Sequence, residues 1–128
     1  EIAAAPDDAD RPVFSEYHAS ASPSGGYMVR KGRYKYSAYA GGYPPELFDL
    51  TADPGELSDL AADPAHEATI AEYDALLRTI VDPEKADRQA KDDQNAVIEK
   101  HGGREKVLAD QLGAAGYTGV PEGIAREL

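Results

Sequence analysis

The chain has 128 residues, with 13 Lys and Arg against 24 Asp and Glu, a formal net charge of -11. That length supports one domain with a modest core, and the acidic excess argues against nucleic acid as a partner, because neutralising phosphates needs a cationic surface. Cysteine is absent, which excludes disulfides, thiolate metal sites and a cysteine nucleophile within these residues while leaving the compartment open, and no apolar run approaches the ~20 residues of a membrane span.

Residues 1–12 are mostly Ala, Asp and Pro, the composition of a linker. The start is acidic, lacks an initiator Met and lacks the apolar segment of a signal peptide, so we expect a longer protein to precede it. Residues 13–18, VFSEYH, read as a short strand with Val13, Ser15 and Tyr17 on one face and Phe14, Glu16 and His18 on the other. Residues 19–26 are small and flexible and read as a loop. Tyr27 to Arg30 and Arg33 to Tyr36 then form a predicted hairpin around Lys31-Gly32, with Gly supplying the positive φ of a two-residue turn. Pairing Arg30 with Arg33 puts Tyr27, Val29, Tyr34 and Tyr36 on a core face, and Met28, Arg30, Arg33 and Lys35 on a basic one. A Gly-Gly-Tyr-Pro-Pro loop leads to a further strand, Glu46 to Leu50.

Three Asp-Pro steps follow, at Asp53, Asp63 and Asp82. Each can start a helix, because Asp caps free amides and Pro tolerates the first helical position. Asp53 with Glu56 fits a capping box for a short helix ending near Leu60. After Asp63 the apolar positions Ile70, Tyr73, Leu77, Ile80 and Val81 recur at helical spacing, a stripe suited to cover the tyrosine face. Residues 84–100 read as a mostly charged helix whose apolar side is thin: Ala86, Ala90, Val97 and Ile98. Gly102-Gly103 breaks it, a short helix with Val107, Leu108 and Leu112 follows, and an irregular tail is expected from Gly113. The layout is α+β: a small antiparallel sheet backed by a helix, then a polar helical extension with too little apolar surface to fold alone. The extension is expected to lie on a neighbour, within a larger chain or in an oligomer.

Three segments in order carry a family pattern: FSEYHA at 14–19, GGYMVRKGRYKYSAYA at 25–40 and PPELFDLTADPGELSDLAADP at 44–64. Together they resemble the C-terminal subdomain of formylglycine-dependent sulfatases of the alkaline phosphatase superfamily, in the choline-sulfatase-like and N-sulfoglucosamine-sulfohydrolase-like branches. The match spans about residues 11–82. The resemblance implies a four-stranded antiparallel sheet packed on a helix, attached to a large α/β catalytic domain upstream. It divides the chain into a linker (1–12), the subdomain (13–82) and a helical extension with its tail (83–128). It also implies that formylglycine and a divalent cation, usually calcium, act in the upstream domain, as nucleophile and as polariser of the sulfate oxygens. The family's nucleophile motif, Cys or Ser followed by any residue, Pro, Ser and Arg, has no counterpart here. Ala21-Ser22-Pro23-Ser24-Gly25 lacks both nucleophile and Arg. We therefore expect no catalytic residue and no metal site in this chain, since Asp7, Asp8 and Asp10 sit in the linker and Asp92-Asp93 in a charged helix.

His18 is the foremost candidate for contact with a small sulfated substrate, because it ends a strand beside a loop and imidazole titrates near neutrality. Glu16, two residues back on the same face, could orient it or bind a cationic substrate; the plainer expectation is an ion pair with the basic hairpin face. Arg30, Arg33 and Lys35 could attract a sulfate ester, but more often such a face pairs with acids of an adjoining domain. Tyr39 and Tyr43 read as packing residues, and His66 and His101 as solvated. Two other functions compete: a related phosphonate or phosphodiester hydrolase, and a non-catalytic acidic interaction module.

Overall fold

A computed structural model describes residues 8, 10–18 and 22–113, with backbone only for 111–113. The expectations for most of the linker, for residues 19–21, for the side chain of Leu112 and for the tail lie outside the described residues. The chain divides into two compact units, residues 1–90 and residues 91–128.

The first unit contains one four-stranded antiparallel sheet, with strands in sequence order. They are β1 (Val13–Tyr17), β2 (Gly26–Lys31), β3 (Tyr34–Tyr39) and β4 (Glu46–Asp49). The hairpin between β2 and β3 turns one residue later than the sequence suggests. Lys31 pairs with Tyr34 and Arg30 with Lys35, so the loop is Gly32-Arg33. Gly32 has φ 54° and Arg33 does not enter the left-handed region. This places glycine first in the turn, as in the mirror-image type II hairpin, rather than second. Because side chains alternate with period two, moving the turn by one residue shifts both arms together and leaves the faces intact. Tyr27, Val29, Tyr34 and Tyr36 share one face as expected, whereas Arg33 moves into the turn.

That face is the core. Tyr27, Val29, Tyr36, Ala38, Ala40 and Leu47 are buried against Tyr73 and Leu77 of helix α1 (Glu67–Ile80). Asp63 accepts from the amide of Ala65 at 2.9 Å and starts a 3-10 turn that runs into α1. Ile70 and Val81 pack at the edge of the core, as their stripe predicts. Ile80, in the last turn of α1, is 45 % exposed and does not join the core. Phenol hydroxyls tie the layers: Tyr73 donates to the Lys31 carbonyl at 2.6 Å, and Tyr36 to Asp74 Oδ1 at 3.0 Å. A buried hydroxyl must find an acceptor, so each phenol also fixes where its neighbour sits.

The Asp53 step does not start a helix. Its carboxylate accepts from the amides of Leu57 at 2.7 Å and Ser58 at 2.8 Å, closing a loop. Glu56 has φ 53°, a conformation that ends any helical run. The loop then returns to the sheet: Asp59 accepts from the amide of Leu47 at 3.0 Å, and the Leu60 amide donates to the Leu47 carbonyl at 2.8 Å. These bonds cover the outer backbone of β4, which would otherwise be an open edge. Asp82 does cap helix α2 (Pro83–Lys100), accepting from the Lys85 amide at 3.0 Å. In its first turns Pro83 and Asp87 are buried.

The second unit holds the rest of α2 and helix α3 (Arg104–Gly113), separated at Gly102-Gly103. Among its described residues the apolar side chains Val97 and Leu108 are 56 % and 47 % exposed. An i,i+4 pair joins Lys106 to Asp110 at 2.7 Å.

Candidate functional site

His18 follows the last residue of β1 and is partly buried. The register puts Phe14 beside Val29 and Glu16 beside Tyr27. Glu16 and His18 therefore lie on the tyrosine face, not on the basic one. The expected ion pair between Glu16 and the basic hairpin face does not form, because the two project from opposite sides of the sheet. Glu16 faces His18 instead, with Oε2 at 3.7 Å from Nε2. The imidazole stands edge-on to the Tyr27 ring, centroids 5.4 Å apart and planes at 78°.

Gly25 lies against both rings. A Cβ at this position would stand 2.6 Å from the Tyr27 hydroxyl and 3.0 Å from both Cε1 and Nδ1 of His18. Any side chain there would displace the imidazole or the phenol. The backbone of Gly25 is held from two sides: its amide donates to Asp87 Oδ1 at 2.7 Å, and its carbonyl accepts from the Ala40 amide at 3.1 Å. Tyr27 donates to the Pro83 carbonyl at 2.9 Å. Burial, then the nearby charges of Asp87, Glu16, Glu84 and Asp82, push its phenol up to about 12. Tyr27 is thus a fixed donor at neutral pH. Four elements converge here: the end of β1, the start of β2, the turn after β3 and the first turns of α2.

Sequence reasoning singled out His18 and Glu16 but missed Gly25 and Asp87. The available signal was the spacing of Pro83, Ala86, Asp87 and Ala90, which puts a carboxylate on the apolar side of a helix. Such a buried charge needs a partner.

The basic hairpin residues satisfy themselves largely within the chain. Arg33 Nε donates to Asp49 Oδ1 at 3.0 Å and its Nη2 pairs with Oδ2. Lys35 pairs with Glu56 and lies 5.7 Å from the centre of the Phe48 ring. Two of the three cations expected to meet acids of an adjoining domain are thus already neutralised. Tyr39 donates to Glu46 at 2.6 Å, while Tyr43 is 51 % exposed. His66 approaches Asp63 at 3.2 Å, beside the Tyr34 ring. Asp49, Asp53, Asp59 and Asp63 all accept from backbone amides, so the acidic pattern after β4 is a loop-building device. Among the described residues no group of three or more His, Cys, Asp or Glu side chains could hold a metal ion, and no helix is long and apolar enough to cross a membrane.

No protein-family model matches the chain. Individual proteins do. It is 42% identical over 72 residues to arylsulfatase K of Danio rerio, covering 55% of this chain and 13% of that protein. It is 46% identical over 44 residues to arylsulfatase K of Mus musculus, covering 33% of this chain and 8% of that protein. Among solved structures, a 2-O GAG sulfatase superposes with a TM-score of 0.51 at 38% identity, covering 66% of this chain and 18% of the other. A sulfatase-family protein of Bacteroides thetaiotaomicron aligns with the same values. The chain therefore spans a small share of the length of the relatives it matches. With a four-stranded antiparallel sheet, its covering helix and these sequence identities, the chain is homologous to sulfatases and corresponds to their C-terminal part.

Proposed function

We propose that this chain is the C-terminal part of a sulfuric ester hydrolase that releases inorganic sulfate from a small sulfated substrate. In this reading residues 1–12 link it to an upstream α/β catalytic domain, in the same chain or as a cleaved partner. Residues 13–82 complete that domain's fold, and residues 83–128 extend it and lie on a neighbour, within the larger chain or in an oligomer. The observation that carries the reading is the 38% identity to a solved sulfatase across 66% of the chain.

The family's formylglycine and its divalent cation, calcium by family habit, would belong to the upstream domain. The residues here do not fit either group: the sequence contains no Cys or Ser followed by any residue, Pro, Ser and Arg, and the described carboxylates do not converge. What this chain supplies is a wall of the substrate cleft. His18 Nε2 can donate to a sulfate oxygen or accept from a substrate hydroxyl, and Glu16 stands 3.7 Å away on the same face. Sulfate esters of phenols and of sugars are the substrates to try, from the names of the relatives.

The test uses the whole polypeptide. His18→Ala should lower kcat/KM for para-nitrophenyl sulfate about tenfold to a hundredfold, the range for one hydrogen bond to a charged group. Glu16→Gln should have a smaller effect of the same sign. An unchanged kcat/KM in His18→Ala would remove His18 from the substrate cleft.

A further inference from the structure

We infer that Asp87 and Gly25 form a clasp that positions His18, so that a carboxylate on a helix 62 residues away sets the geometry of the proposed substrate contact. The inference rests on the reading of His18 as a cleft residue.

Residues 22–25 lead into β2, and the amide of buried Gly25, one residue before the strand begins, needs an acceptor. Asp87 supplies one. Its Oδ1 accepts from the Gly25 amide at 2.7 Å, and a bond donated by a backbone amide to a carboxylate is among the stronger ones available. Asp87 is 8 % exposed, so its placement on the apolar side of α2 has a cost that this bond offsets. The Ala40 amide holds the other side of the same peptide. With Gly25 pinned, its bare Cα forms one wall of the His18 slot, and the Tyr27 ring forms another. The Tyr27 hydroxyl cannot swing away to make room, because it donates to Pro83 on the same helix turn that carries Asp87. One turn of α2 therefore fixes both walls. Asp87 is a positioning residue: it acts on the proposed contact through Gly25 and the imidazole, not by touching substrate.

The experiment is a double-mutant cycle in the whole polypeptide, reading kcat/KM for para-nitrophenyl sulfate and the melting temperature together. Asp87→Ala should lower kcat/KM about tenfold or more, since small misplacements of a contact group carry penalties up to about a hundredfold. In a His18→Ala background the same change should lower it less than about twofold, because nothing remains to be positioned. Asp87→Asn keeps an acceptor oxygen for the Gly25 amide and should restore most of the activity. Should Asp87→Ala fail to fold, Gly25→Ala serves the same cycle, since its Cβ would press on the imidazole. Equal losses from the clasp change in both backgrounds, at unchanged melting temperature, would overturn the clasp. No loss in His18→Ala alone would overturn the cleft reading beneath it, so the two failures are distinguishable.

Discussion

Replacing Asp74 tests how the tyrosine face is locked to its helices. Asp74 sits on the sheet-facing side of α1 and accepts from Tyr36 at 3.0 Å through Oδ1 and from Arg78 at 2.8 Å through Oδ2. Arg78 also reaches Glu84 on α2 at 3.1 Å, so the network joins β3, α1 and α2. Tyr36 is 3 % exposed. Burial and the Asp74 charge together raise its phenol well above the ordinary tyrosine range. In Asp74→Ala the Tyr36 hydroxyl loses its acceptor inside the core. A hydrogen bond to a charged group contributes ~1.5–3 kcal/mol, and an orphaned buried donor costs at the upper end of that range. Arg78 keeps Glu84, and an exposed ion pair contributes ~0–1 kcal/mol, so its share of the loss is small. The expected destabilisation is about 2–3 kcal/mol in urea unfolding. Asp74→Asn retains an oxygen for the hydroxyl and should cost about half as much. The Tyr36→Phe and Asp74→Ala cycle should show a coupling of ~1–2 kcal/mol. Zero coupling, or equal losses in the Ala and Asn variants, would refute the idea that this phenol fastens α1 to the sheet.

Three further outcomes are expected. Leu77→Ala, at a site with 0 % exposure, should destabilise by about 2–5 kcal/mol through lost burial and a residual cavity; a loss below ~1 kcal/mol in the same assay would mean α1 does not seal the core. Gly32→Ala meets no atom within 4 Å, so its cost should be that of the left-handed backbone alone, about 1–2 kcal/mol; a neutral result would place the turn elsewhere. Stability should fall at both ends of the pH scale. Asp49, Asp63 and Asp82 are held below the usual carboxylate value by the Arg33 side chain, the Ala65 amide and the Lys85 amide respectively. Their contribution is complete above that value and is lost as pH falls through the lowered folded values. Tyr27 runs the other way: its contribution is complete below the ordinary 10.0 and is lost as pH rises toward about 12. Thermal melts along acid and alkaline ramps check both signs, and an acid branch unchanged by Asp49→Asn would contradict the assignment to that carboxylate.

Most of the sheet was legible because its information is local. Alternation along Phe14-Ser15-Glu16-Tyr17-His18 and Tyr27-Met28-Val29 sorts the faces without reference to anything distant. The turn was misplaced by one residue because Gly32 can serve at either central position, and only the pairing of Lys31 with Tyr34 decides between them. Asp53 was misread for a different reason. Asp, Pro and Glu at capping-box spacing describe a local preference, but the loop is set by Asp59 and Leu60 returning to Leu47, contacts with no signature in the adjacent sequence. The same limit governs the site. His18 and Glu16 announce themselves by residue type at a strand end. The Asp87 partner of Gly25 lies on another element, and only folding brings them together.

The most direct measurement is inorganic sulfate released from para-nitrophenyl sulfate by the whole polypeptide that carries this sequence, run beside the 128-residue chain alone. Turnover by the whole polypeptide and none by the isolated chain is the expected result. Turnover by the isolated chain would contradict the placement of the chemistry outside it, and a whole polypeptide that cleaves para-nitrophenyl phosphate but not the sulfate would contradict the sulfatase assignment.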